Sequence, residues 1–165
     1  MKYFVGYVGV KVVNKSPFPL PEYKTEHAAG VDVQADLRVI GTEQSYFVRD
    51  LPLELRFAPG QIIAVPTSLY VEIPEGFEIQ VRPRSGLSLN SHLRIANSPG
   101  TIDADYRGEI KVILENIGDT WERITHGDRI AQLVLCPVMK MDWSLVDELS
   151  STERGIGGFG STGLN

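Results

Sequence analysis

Apolar and β-branched residues gather in short runs along the whole chain, and polar, Gly- and Pro-rich pieces cut between them. "YFVGYVGVKVV", "QIIAVPTSLYVEI", "GFEIQVRP", "GEIKVILEN" and "RIAQLVLCPV" read as strands, being rich in Val, Ile, Tyr and Phe. "SPFPLPE", "APGQ", "IPEGF", "NSPGT", "NIGDT" and "HGD" carry the Pro, Gly, Asn and Asp that turns require. No stretch sustains a helical period over three turns; "SGLSLNSHL" alone predicts a short helix, behind Ser85. The pattern predicts an all-β domain, a barrel or jelly-roll-like sandwich with at most one short helix, over residues 1–150. Residues 151–165, which include "RGIGGFGSTG", read as a flexible arm. Its five glycines surround a guanidinium, a ring and two hydroxyls. In such a fold the chemistry sits in loops and at strand ends.

With 165 residues the chain is one domain by size and buries a core without staples. Cys136 is the single cysteine, so no internal disulfide forms; its setting, "AQLVLCPV", predicts a buried inert thiol. The chain shows no N-terminal signal pattern and no run of about 18 apolar residues, so the expectation is a cytoplasmic protein, with an organelle lumen open if a transit peptide has been removed. Acids outnumber bases by 21 to 16, with no basic block, which argues against a nucleic-acid polymer or a membrane as partner. Arginines gathered locally still leave room for a small polyanion. The histidines, His27, His92 and His126, stand apart with no i, i+4 pair, so no zinc site is expected.

Four loops carry unusual chemistry. "RPRSGLS" sets Arg84, Ser85 and Gly86 before the short helix: either an anion cradle of backbone N–H groups, hydroxyl and guanidinium, or a basic turn with Ser85 as N-cap. "NSPGTIDADYRGEI" places Asp103 and Asp105 one residue apart, on the same side if the chain is extended there. A carboxylate so fixed serves as general base or organises a metal's waters; alternatively both shape a turn and Arg107 neutralises one. "AAGVDVQAD" puts Asp32 among small apolar residues on a strand, where an acid needs an arginine or a cation. "GDRIAQLVL" places Gln132 in an apolar strand, as a satisfied core amide or a site residue.

Together and in this order, "AAGVDVQAD", "RPRSGLS", "GTIDADYRGE", "GDRIAQL" and "RGIGGFGSTG" resemble the five motifs of the trimeric dUTPases, the dUTP diphosphatases. The resemblance spans about Ala28 to Gly163. It departs at "RVIGTEQSYFVRDLPLEL", longer than the family's usual link, and at Thr101, where an aliphatic residue is commoner. The resemblance implies hydrolysis of dUTP to dUMP and pyrophosphate by attack of water on the α-phosphorus, with Mg²⁺ on the triphosphate.

On the matching positions the resemblance implies that Asp103 activates the water and Asp32 holds waters of the Mg²⁺ shell. Arg84, Ser85 and Gly86 would bind the phosphate chain, with Gln132 beside the α-phosphate. A hairpin carrying Asn97, Gly100, Thr101 and Ile102, with its returning strand near Lys111, would read the uracil edge. Tyr106 would pack under the sugar and exclude a 2′-hydroxyl. Arg154 would clamp the terminal phosphates and Phe159 would stack on the base. Gly160 lets the arm wrap closely, and Ser161 and Thr162 would donate to phosphate oxygens. The family is a homotrimer with shared sites. The neighbouring reading is a dCTP deaminase, whose required acid would be Glu115; a non-catalytic nucleotide-sensing or regulatory module is a third, and a capsid-like structural protein a fourth. Mn²⁺ stays open beside Mg²⁺.

Overall fold

The computed structural model describes residues 6–39 and 53–158, and the chain is nearly all β there. Ten strands form: β1 (Lys11–Asn14), β2 (Val31–Gln34), β3 (Glu54–Phe57), β4 (Ile62–Glu72), β5 (Phe77–Arg82), β6 (Leu93–Ile95), β7 (Gly100–Ile102), β8 (Glu109–Asn116), β9 (Glu122–Thr125) and β10 (Arg129–Pro137). The helix α1 (Ser85–Asn90) and a 3₁₀ turn at Leu37–Val39 are the helical pieces among the described residues. No described helix is long and apolar enough to cross a membrane.

The strands make two antiparallel four-stranded sheets, ordered β1-β4-β8-β6 and β2-β10-β5-β7, with a small β3-β9 pair beside them. Alternation explains the packing. In β8 the residues Ile110, Val112, Leu114 and Asn116 point inward and are buried, while Lys111 faces out. Val65 of β4 and Ile130, Ala131 and Leu133 of β10 complete a core drawn from both sheets. Phe57, Leu55 and Ile124 of the β3-β9 pair close it. Each fully buried aliphatic side chain contributes roughly 1.5–3 kcal/mol, so this interior, and no single motif, holds the fold.

Three expectations are corrected. The first strand is short: β1 begins at Lys11 because its partner β4 ends at Glu72, opposite it, and the described residues before it, 6–10, join no ladder. β3 and β9 went unread because "ELRF" and "ERIT" are four residues each, half of them charged, and pair only with one another. Cys136 is half-buried, not buried, with its sulfur 3.5 Å from Arg82 Nη2. The turns fall where composition puts them. Gly127, with φ +90°, takes a conformation that a side chain disfavours and lets Asp128 N–H reach Thr125 O at 2.9 Å.

The last strand ends at Pro137. The described chain beyond Val138, residues 139–158, forms no helix or strand and leaves Met139, Met141, Trp143 and Leu145 exposed. Phe159, Gly160, Ser161 and Thr162 lie outside the described residues.

Candidate functional site

Strand β5 is the axis of the site. At its C-terminal end Arg82 lies opposite Gln132 of β10, which in turn lies opposite Asp32 of β2. The chain then runs through Pro83 and Arg84 into α1. Arg84 Nε sits 2.9 Å from Asp32 Oδ1, and Arg129 Nη1 donates to Asp32 Oδ2 at 3.1 Å. Arg84 Nη1 also donates to Arg129 O at 2.9 Å, so the two arginines are tied to each other and to one carboxylate. Gln132 Nε2 donates to Pro83 O at 2.8 Å. Gly30 makes room for that amide: a Cβ there would stand 2.7 Å from Gln132 Oε1.

The local charge is two guanidiniums against one carboxylate, with a helix start beside it. Arg84 is the N-cap, extended and without a side-chain cap, so Ser85 is the first helical residue and not the cap. Ser88 N–H donates to Arg84 O, which leaves the N–H groups of Ser85, Gly86 and Leu87 without an intrahelical acceptor. Ser85 and Gly86 are exposed and nothing lies within 4 Å of a Cβ built on Gly86. Donors, positive charge and open space coincide, which suits an anionic ligand. Asp32 is paired with arginine, the first of the two options its sequence setting left.

The second group lies along the other edge of β5. Gly100, Thr101 and Ile102 pair with Val81, Gln80 and Ile79. Gly100 is buried, and a Cβ on it would sit 3.1 Å from Asn97 Nδ2 and 3.3 Å from Val81 Cβ. The segment leaving β6 switches sheets: Ala96 N–H donates to Ile113 O of one sheet before Gly100 joins the other. No ladder joins β7 to β8, so Asn97–Ile102 is an edge bridging two sheets instead of one arm of a hairpin with Lys111. Lys111 lies opposite Pro66, with its Nζ 3.7 Å from Glu109 Oε2.

Asp103 and Asp105 sit in a turn closed by Tyr106 N–H to Asp103 O at 3.1 Å, not on an extended chain. Arg107 neutralises neither acid; its Nη1 donates to Ala104 O and Tyr106 O. Among the described residues neither carboxylate has an ion pair or a hydrogen bond, and Asp103 is exposed. Tyr106 lays its ring against Gly108 and donates its hydroxyl to Glu109 O at 3.0 Å. Glu115 lies between Ile62 and Arg94 within its sheet, away from β7.

The two groups are far apart. Ile102 lies opposite Ile79, so Asp103 stands near Glu78, while Arg84 lies beyond Arg82 at the other end of the strand. At a rise of roughly 3.3 Å per residue the separation is on the order of 20 Å. Asp32, three strands across from β7, is about as far on the same spacings. Arg154 is exposed and folded onto its own turn, with Nε donating to Gly157 O at 2.8 Å, and joins neither group. Arg129, Gly30 and Gly108 were missed in the sequence. Arg129 follows a turn as an ordinary surface charge, and the glycines declare themselves only through what a Cβ would strike.

The residues fit an Mg²⁺ ion only indirectly. No group of three or more His, Cys, Asp or Glu among the described residues converges to hold a metal. Each Asp32 oxygen carries one guanidinium contact and keeps a lone pair for a metal-bound water, the mode expected of an ion that retains its waters and leans on phosphate.

The dUTPase family model matches residues 16–163. A deoxyuridine 5'-triphosphate nucleotidohydrolase of Desulfotalea psychrophila is 52% identical over 145 residues, covering 88% of this chain and 87% of its own length. The protein of the same name from Roseobacter denitrificans is 50% identical over the same shares. Among solved structures, the dUTPase of Staphylococcus bacteriophage 80alpha with dUpNHpp superposes with a TM-score of 0.76 at 27% identity, over 94% of this chain and 99% of that one. The chain with these ten strands and two separated polar groups belongs to the dUTPase family.

Proposed function

We propose that this chain is a cytoplasmic dUTP diphosphatase that hydrolyses dUTP to dUMP and pyrophosphate, supplying dUMP and keeping uracil out of DNA. The observation that carries the reading is the pair of polar groups along β5: an exposed carboxylate, Asp103, with no partner among the described residues, beside a backbone edge at one end, and an arginine-rich helix start at the other. A carboxylate with no partner among the described residues is open to hold a water and take its proton. The water oxygen bonds to the α-phosphorus, the bridge to the β-phosphate breaks, and pyrophosphate leaves with those electrons.

Arg84, with the N–H groups of Ser85 and Gly86, neutralises the phosphate chain, and the Gln132 Oε1/Nε2 amide lies beside the α-phosphate. Bound Mg²⁺ would supply charge neutralisation on the phosphates, with Asp32 holding its waters. Asn97 and the Gly100–Ile102 edge read the uracil, near Lys111, and Tyr106 lies beneath the sugar. Arg154, Phe159, Gly160, Ser161 and Thr162 form the closing arm, which excludes all water but the attacking one.

A base about 20 Å from the phosphate grip cannot act on the same α-phosphorus within one chain, since proton transfer needs hydrogen-bond reach. Sites shared between copies in a homotrimer resolve this. The segment leading to the arm supports the same assembly: Met139, Met141, Trp143 and Leu145 alternate with polar residues and are all exposed, an apolar row of the kind a second chain covers. The test is pyrophosphate release with Mg²⁺ from dUTP, dCTP, dTTP and UTP, beside Asp103→Asn. Release from dUTP alone, abolished in the variant, is expected; no release from any would sink the reading, and ammonia from dCTP would move it to a deaminase.

A further inference from the structure

The β4-β8 ladder has one break. The strands pair from Ile62 and Glu115 down to Pro66 and Lys111, then the register shifts, and pairing resumes at Tyr70 and Glu109. In the gap Ser68 is buried and has φ +58°, a conformation that costs energy for a residue with a Cβ. Two contacts hold it there. Its N–H donates to Glu109 Oε1 at 2.8 Å and its carbonyl accepts from Lys15 N–H at 2.9 Å. The Glu109 carboxylate takes the place of the acceptor that the break removes from the ladder.

The main chain of the same residue faces the other way. Its carbonyl accepts the Tyr106 hydroxyl at 3.0 Å, and the Tyr106 ring lies on Gly108, where no Cβ fits. The pose of Tyr106 is therefore set by where the backbone of residue 109 stands. That backbone is held by its pair with Tyr70 and by its own side chain on Ser68.

We propose that Glu109 is a positioning residue for substrate selection: its carboxylate, bonded to the strained Ser68, fixes the carbonyl that holds Tyr106 in place as the wall against a 2′-hydroxyl. The proposal rests on Tyr106 facing the sugar. The other oxygen of Glu109 stands 3.7 Å from the half-exposed Lys111 Nζ, an ion pair that contributes little. At Ser68 N–H the requirement is for an acceptor of the right length. A glutamine meets it through its amide oxygen, an aspartate falls one methylene short, and an alanine offers nothing. A wall displaced by even a fraction of an ångström admits a ribose without dismantling the water-activating carboxylate.

The test measures kcat and KM for dUTP and UTP in the wild type, Tyr106→Ala, Glu109→Ala, Glu109→Asp and Glu109→Gln, with thermal melting to establish folding. The expected result is a fall of about tenfold in the dUTP-over-UTP ratio of kcat/KM for the Ala and Asp variants, through a lower KM for UTP and with a smaller effect on kcat for dUTP. The Gln variant restores the ratio. An unchanged ratio in folded Glu109→Asp, or an equal loss in Glu109→Gln, overturns the proposal. If Tyr106→Ala leaves the ratio unchanged, the sugar-wall reading falls and this inference with it; if Tyr106→Ala lowers it and the Glu109 variants do not, only Glu109 is misassigned.

Discussion

Arg84 reaches past strand β10 to place its Nε 2.9 Å from Asp32 Oδ1, although β2 and β5 are not neighbours in their sheet. The contact crosses the row in which Gln132 lies between Asp32 and Arg82. Both side chains are less than a quarter exposed, so the pair is more than a surface ornament. It preorganises the guanidinium beside the start of α1. Asp32→Asn keeps the shape, removes the charge and weakens the hold on Arg84. Its kcat/KM for dUTP at limiting Mg²⁺ is expected to fall by about tenfold or more, with part of the loss recovered at saturating Mg²⁺. Kinetics across an Mg²⁺ titration decide this; an unchanged Mg²⁺ dependence would remove Asp32 from the metal's surroundings.

The separation between Asp103 and the Arg84 turn makes a prediction for mixed assemblies. Asp103→Asn and Arg84→Ala are each expected to abolish activity in a pure preparation. Co-expressed in equal amounts, they are expected to restore about a quarter of wild-type activity, because random assortment gives that share of sites an intact Asp103 from one chain and an intact Arg84 from another. Activity no greater than the sum of the two pure variants would mean that each site is built from one chain.

Asp36 governs acid stability. It is fully buried, and the Arg38 guanidinium holds it by two bonds, 2.8 and 2.7 Å, outweighing the burial that opposes ionisation and lowering its pKa from 3.8 to about 2. A depressed folded value means stability that is present above pH 3.8 and lost as pH falls towards 2. The difference is about 2 kcal/mol. Denaturant melts at pH 6, 4 and 2 should show this loss in the wild type beyond that in Asp36→Asn, which lacks the titrating group. Parallel curves for the two proteins would contradict it.

Asn116 is a buried amide with every polar atom used. Its Nδ2 donates to Phe57 O at 3.1 Å and Thr120 O at 2.7 Å, and its Oδ1 accepts from Gly118 N–H at 3.0 Å. It joins β8 to the β3-β9 pair and shapes the turn after it. Asn116→Leu removes the amide from Phe57 O in the interior and from Thr120 O and Gly118 N–H in the partly exposed turn, and should lower stability by about 2–4 kcal/mol. Urea unfolding reads the change; a loss under about 1 kcal/mol would mean that water reaches the turn.

Much of this was legible in the sequence because the signals are local. Val-, Ile- and Tyr-rich runs mark β4, β5, β8 and β10, and the glycines of "APGQ", "IPEGF" and "HGD" mark turns. The short helix was visible too, though read as starting behind Ser85, where Arg84 is the N-cap and Ser85 the first helical residue. Asp32 advertised a partner by its apolar setting, though not which one, because Arg129 stands 97 residues away and meets it only through sheet order. The acids of "DAD" left two readings: the extended one fails, because a hydrogen bond from Tyr106 closes a turn there, and the turn reading holds except that Arg107 bonds to main-chain carbonyls and to neither acid. Ser68 gave no signal at all, since its φ follows from a register shift that only the folded ladder produces.

With sites shared as proposed, the distance from Asp103 to Arg84 also bears on when the protein works. A lone chain holds the two residues at opposite ends of one sheet, so output is expected to rise more steeply than the amount of protein at low abundance, and the spacing of a single strand would then read the catalyst's own concentration.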